Sequence, residues 1–435
     1  MNKEQMKTDI LIVGSGCAGL YCALQLPRNL NILIITKSDV ESSDSYLAQG
    51  GICMLKDEAD YKSYFEDTMT AGHYENDPKS VEIMIRSSQD IIRDLISYGV
   101  EFQREPSGEF SFTREGAHSD HRILFHADIT GKEITDNLYQ QVRKLPNVTM
   151  MEHTCMVDIM KEGNTCFGAV VRKADQTLTA VSARITVWAC GGIGGLYRYS
   201  TNFRHLTADA VAIALKHGIA VQNVSYVQIH PTTLYSEREE ERSFLISESV
   251  RGEGAKLYGK DKTRFVDELL PRDLLTEAIR RQMEKDNMPF VWEDLRTIPK
   301  NELSNHFPNI VSHCKKMGYD VYNECIPVVP AQHYFMGGVK VNYNSKTSME
   351  QLYAIGETAC NGVHGRNRLA SNSLLESLVF AKRAAKEMSA LSAVAKSNEK
   401  LAACWDVSPY IEKEALEKEY ASLVRDEIRK EEQVR

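Results

Sequence analysis

Six residues near the start of the chain, Gly14-Ser15-Gly16-Cys17-Ala18-Gly19, have the spacing that lets backbone amides close on a pyrophosphate. In such a run the first glycine permits a tight turn, the second lets the main chain approach the anion, and the third lets a helix pack on the preceding strand. A helix that starts there points its partial positive charge at the phosphates. The run alone is a weak signal, and its place between an apolar stretch and a helical one is what supports a bound dinucleotide. The acidic residue expected for an adenosine ribose is missing after the next apolar stretch, which ends Ile35-Thr36-Lys37-Ser38 and argues against a plain nicotinamide site. Farther on, Ser42-Ser43-Asp44-Ser45-Tyr46-Leu47-Ala48-Gln49-Gly50-Gly51 is a polar loop able to wrap a flavin ring with backbone donors, or to be an ordinary turn. Ser371-Asn372-Ser373-Leu374-Leu375-Glu376 opens a helix whose N-terminus can face a flavin carbonyl, or is a plain Ser/Asn cap.

The elements that must position these groups read as strand, glycine turn, helix, strand over residues 9–36, one βαβ unit. Strand-to-glycine junctions recur at 183–192 and 352–357, and open α/β sheets bind ligands at such carboxyl ends. Between them lies a charged, proline-bearing stretch that reads as an insertion, with the run 237–242 as a solvated face. The expected fold is α/β, a Rossmann-like nucleotide-binding domain interrupted by an α+β capping domain, with a short C-terminal helical tail. The boundaries are 1–223 and 335–398 for the nucleotide domain, 224–334 for the cap and 399–435 for the tail, where Leu401, Ile411, Leu416 and Leu423 are spaced for a helix.

At 435 residues, 43% hydrophobic, the chain has room for two to three domains of ordinary globular composition. Its net charge of -8 comes without a dense Lys/Arg tract, so neither nucleic acid nor an anionic membrane is an expected partner. The first apolar stretch, residues 10–13, is far shorter than a signal-peptide core, and no run approaches a membrane span, which makes a cytoplasmic protein the expectation. The 10 cysteines contain no C-x-x-C pair, so no metal is expected.

Taken in order, the glycine turn, Ala48-Gln49-Gly50-Gly51, His230-Pro231-Thr232, Arg251-Gly252-Glu253-Gly254, Pro271-Arg272-Asp273, Gly337-Gly338, Gly356-Glu357 and Ser371-Asn372-Ser373-Leu374 resemble the succinate dehydrogenase/fumarate reductase flavoprotein family over residues 8–390. Members that oxidise L-aspartate carry an R-E-G-x-H-S element, matched here by Arg114-Glu115-Gly116-Ala117-His118-Ser119. The resemblance implies FAD-dependent hydride removal from a dicarboxylate, with L-aspartate going to iminoaspartate as the first step of NAD biosynthesis. Oxygen or fumarate would be the acceptor, and the product would be coupled to a quinolinate synthase. It assigns Arg272 and Arg368 as carboxylate clamps, a task suited to a planar, permanently charged fork. Arg272 would also exchange the proton when fumarate is reduced. His230 and His333 would bind the same carboxylates, with Gln228, Ser247 and Glu248 adding contacts, and Glu115 would meet the substrate ammonium.

By the same resemblance FAD would lie on residues 14–19, Lys37, Asp44 to Gly51, Val157, Asp209, Glu357, Ser373 and Leu374. Membrane succinate dehydrogenases place a flavin-linking histidine five residues before the loop glutamine, where this chain has Asp44, so FAD is expected without a covalent bond. Two departures stand out: Thr207-Ala208-Asp209-Ala210 where G-D-G is usual, and Ala189-Cys190-Gly191-Gly192 where A-T-G-G is common. Two other readings stay open, a fumarate reductase or succinate dehydrogenase subunit, and a flavin-binding protein without catalysis.

Overall fold

The computed structural model describes residues 6–237 and 242–434. The second half of the first strand, Met6–Val13, is wholly aliphatic (Ile10, Leu11, Ile12, Val13) because both of its faces are covered there, as befits the centre of a parallel sheet. Its period of two divides the side chains: Ile10 and Ile12 join one core layer, Leu11 and Val13 the other. Helices Cys17–Gln25 and Asn372–Leu391 cover the first face. Helix Asp209–His217 covers the second, with the C-terminal helix Lys413–Val434 packed outside it.

Among the described residues the main sheet has seven strands, in the order Val148–Met151, Ile32–Ile35, Met6–Val13, Leu178–Trp188, Thr165–Arg172, Cys155–Glu162, with Leu352–Ala354 also on Leu178–Trp188. The first four and Leu352–Ala354 run parallel, and Thr165–Arg172 runs antiparallel to both of its neighbours, Leu178–Trp188 and Cys155–Glu162. This is the Rossmann-like α/β fold, and the ends of Met6–Val13 and Leu178–Trp188 meet where the glycine turn begins.

A second sheet, antiparallel throughout, has the order Phe244–Leu245, Val227–Leu234, Ile326–Phe335, Val291–Asp294, Lys256–Tyr258. Its own core, including Leu257, Leu275, Ile279 and Ile310, is shared with helices Arg272–Asp286 and Pro308–Lys316. Chain enters and leaves this unit side by side: Met336 N–H donates to Tyr226 O at 2.9 Å. A Cβ at Gly337 would stand 1.9 Å from Asn223 O, so only glycine lets the two crossing strands touch. Of the acidic-basic run at 237–242, residues 238–241 lie outside the described residues.

The tail is more than a short appendage. Lys413–Val434 spans 22 residues and buries Leu416, Tyr420 and Val424, one stripe at helical spacing. Tyr420 Oη donates to Val157 O at 2.7 Å, and Tyr410 Oη to Asp158 at 3.0 Å. Ile411, one of the four residues whose spacing suggested the helical tail, precedes this helix and is 59% exposed.

Candidate active site

A cavity of about 440 Å3 runs from the glycine turn to the wall made by the inserted sheet. At its first end Gly14 has φ +119°, and a Cβ there would lie 1.9 Å from Ala189 O, so the two strand ends close around a bare backbone. Lys37 Nζ donates to Asp209 Oδ2 and Thr207 Oγ1, each at 2.8 Å. Burial alone would lower the Lys37 ammonium, but Asp209 outweighs it and holds the group charged. Ala208, just before Asp209, takes a left-handed φ of +64°, a conformation that favours glycine.

The lining of this end carries buried polar atoms with no partner: Ser43 Oγ, Asp44 Oδ2, Gln49 Oε1 and Asn202 Oδ1. Native proteins rarely leave such atoms unpaired, so the cavity is built for a polar occupant. The glycine cradle, the open donors and acceptors and the elongated shape fit FAD. Asp44 Oδ1 accepts from Phe203 N–H at 3.0 Å. Burial pushes its carboxyl up to about 7, with the Phe203 N–H and Arg242 opposing.

At the other end the side chains come from segments far apart in the chain. Arg272 opens helix Arg272–Asp286; its Nε donates to Glu248 Oε2 at 2.5 Å and its Nη1 to Gln228 Oε1 at 2.9 Å. Arg368 Nε reaches the same Gln228 oxygen at 3.3 Å, its Nη1 donates to Ser373 Oγ at 2.5 Å, and its guanidinium lies 4.5 Å from the centre of the Tyr334 ring. One amide oxygen thus holds two cations on one wall. Burial, with Arg272 adding repulsion, pushes Arg368 down to about 10. The rings of His230 and His333 sit 5.1 Å apart. His230 Nδ1 is engaged by the Thr232 backbone and Nε2 is buried without a partner, while His333 Nδ1 meets Thr201 Oγ1 at 2.8 Å. Burial, then the nearby Arg272, drives both imidazoles well below their usual range, so both are neutral.

Glu115 faces this group from the nucleotide-binding fold. It accepts from Ser249 Oγ at 3.0 Å and from Ser371 Oγ at 2.5 Å, and burial followed by repulsion from Glu248 raises its pKa. Its loop is anchored by Arg122, fully buried, which donates to Asp60, Asp67, Ser63 and His118. His118 Nε2 in turn meets Ala370 O at 3.0 Å, tying the loop to the segment that carries Arg368 and Ser371.

Nearly all the residues expected from sequence line this one cavity; four do not. Cys17 and Gly19 belong to the turn but face the fold, with Gly19 packed under Gly14 O. Val157 does not line the cavity: its side chain is in the core and its carbonyl accepts from Tyr420 Oη, while Thr154, Cys155 and Met156, just before it, do. Gln228 lies behind the arginines rather than on the cavity surface. Ser371 makes no helix-cap bond, because its hydroxyl serves Glu115. Sequence reasoning missed Thr201 and Asn202, which stand in no motif, gave no role to Asp128 or Tyr334, which stand in recognised runs, and read Arg242 as part of a solvated charged run, yet it lines the cavity beside Asp44.

Among the described residues no group of His, Cys, Asp and Glu is arranged to hold a metal, and no helix is long and apolar enough to cross a membrane. The FAD binding domain family matches residues 9–374. The L-aspartate oxidase of Clostridium perfringens is 50% identical over 380 residues, 87% of this chain and 86% of that protein. That of Clostridium acetobutylicum is 46% identical over 395 residues, 91% of each. Among solved structures, a variant of the E. coli quinol fumarate reductase superposes with a TM-score of 0.85 at 28% identity, over 98% of this chain and 74% of that one.

Proposed function

The chain belongs to the succinate dehydrogenase/fumarate reductase flavoprotein family, in its L-aspartate oxidase branch, and on that premise we propose how the cavity performs the reaction. The enzyme oxidises L-aspartate to iminoaspartate with FAD, the first step of NAD biosynthesis. The observation that carries our assignment of residues is the Gln228 oxygen shared by Arg272 and Arg368. Two guanidinium groups held on one wall, beside an unpartnered His230 Nε2, call for an anion with two carboxylates.

In this reading Arg272 and Arg368 clamp the diacid, His230 and His333 complete its hydrogen bonds, and Ser247 and Glu248 shape the wall next to Arg272. Bound FAD supplies the two-electron acceptor for the hydride that leaves the substrate Cα. The nitrogen forms its double bond to carbon only after the ammonium has lost a proton. Glu115, raised by burial and by Glu248, is the carboxylate placed to take that proton and to recognise the ammonium. For fumarate the proton must travel the other way, and Arg272, paired to Glu248 at 2.5 Å, is the group at the wall. Fixing several polar groups on rigid elements supplies rate through positioning.

FAD is held here without a covalent bond, since Asp44 offers no imidazole for the link; acid precipitation of the yellow protein should leave the flavin in the supernatant. Residues 1–223 and 335–398 act as the nucleotide-binding domain and 224–334 as its cap. We place the reaction in the cytoplasm, with the hydrolysable imine delivered to a quinolinate synthase. The central test is anaerobic mixing with L-aspartate and then succinate. Bleaching of the flavin by L-aspartate alone is the expected result, bleaching only by succinate points to the dehydrogenase reading, and none by either to a protein without catalysis.

A further inference from the structure

Helix Pro308–Lys316 of the inserted unit has no side-chain cap of its own, for Phe307 in the cap position has no polar side-chain group to offer. Ile310 N–H is taken instead by Asp128 Oδ2 at 2.9 Å, a residue of the nucleotide-binding fold 182 positions earlier. Asp128 is buried, lines the cavity beside Asn309, and its other oxygen, Oδ1, has no partner. The segment around it is also tied to the polar loop: Gly131 N–H donates to Ala48 O and Thr130 Oγ1 to Gly50 O, both at 2.8 Å. Ala127, just before it, is held at φ +44°. On the far side, the capped helix carries His313, whose ring stacks on Phe244 at 3.5 Å, and Phe244 lines the cavity.

We propose that Asp128 is a positioning residue that latches the inserted unit over the cavity, so that a diacid bridging the two units holds the helix on its cap. The proposal rests on the reading above, in which the diacid is gripped between two separate units. The inserted unit brings His230, Ser247, Glu248 and Arg272, and the nucleotide-binding fold brings Glu115 and Arg368, so the grip exists only when the two are in register. A swing of the inserted unit strips the helix of its cap and forces Asp128 to be hydrated. A diacid that bridges the clamps of the two units favours the closed arrangement, in which the cap is made.

Hydrogen exchange on the full-length FAD-loaded protein, with and without fumarate, tests the latch directly. The amides of residues 309–312 should exchange more slowly with fumarate. In Asp128→Ala that protection should vanish and the KM for L-aspartate should rise about tenfold, the size of a lost cap, with kcat changed less than about threefold. Asp128→Asn keeps an acceptor and should restore KM to within about threefold of the parent. Unchanged KM and unchanged protection in Asp128→Ala overturn the latch, as does a loss of FAD affinity that parallels the loss of KM, since that marks a merely structural residue. Fumarate-dependent protection in a protein that L-aspartate does not reduce keeps the latch and removes the assigned reaction. Reduction by L-aspartate without any such protection does the reverse.

Discussion

Two buried charge clusters lie close together in this molecule, built from the same residue types and with opposite outcomes. Around Arg122 the guanidinium meets Asp60, Asp67, Ser63 and His118, so the cation finds its counter-charges inside the protein. Around Arg272 and Arg368 only Glu248 pairs closely with a cation, the two cations share a neutral amide oxygen, and a histidine nitrogen is left open. A closed cluster fixes a loop, and an open one waits for a ligand. What separates them is compensation of charge, not burial, since both are almost fully hidden from solvent.

Removing either clamp should cost the most. Arg368→Met and Arg272→Met should lower kcat/KM for L-aspartate by roughly a hundredfold to several thousandfold, the scale of a broken buried charge contact, with the fold kept. Steady-state kinetics alongside thermal unfolding checks this, and an equal loss of stability would erase the contrast with Arg122. Arg122→Met should do the opposite, costing about 3–5 kcal/mol of stability in urea unfolding because two carboxylates lose their cation, while the clamps remain.

Acid should find the closed cluster next. Burial first, then Arg122, holds His118 down, to about 4. The unfolded chain takes its proton near pH 6.5, so stability should be flat above that and fall as pH drops toward 4. The loss is on the order of 3 kcal/mol in all. Urea midpoints between pH 7 and 4.5 report it, and His118→Asn should flatten the slope; an unchanged slope contradicts the assignment.

The smallest effect expected is at Glu115, which links the clusters. Glu115→Gln should lower kcat/KM for L-aspartate by about tenfold to a hundredfold, as a charge-assisted bond is lost, and leave fumarate reduction within about threefold. Equal losses in the two directions would show that Glu115 belongs with the closed cluster instead.

The cofactor end was legible because its chemistry is local. Glycine turn, strand and helix are contiguous, and period-two burial of residues 10–13 follows from a doubly covered strand. The polar loop at 42–51 and the junctions near 190 and 356 were readable for the same reason. The diacid end was legible only residue by residue through family motifs, and its least motif-like parts, Thr201, Asn202 and Arg242, stayed out of sight.

By itself the sequence determined the order of elements, the backbone cradle for phosphates and the stock of cations, for these depend on neighbours a few residues apart. Tertiary structure alone decided that Gln228 stands behind both arginines instead of on the cavity surface, that Ser371 serves Glu115 instead of its own helix, and that Asp128 caps a helix 182 positions away. Each of those is a choice of partner among groups distant in the chain. A side chain's chemistry says what it can bond, and only packing says which partner comes within 3 Å.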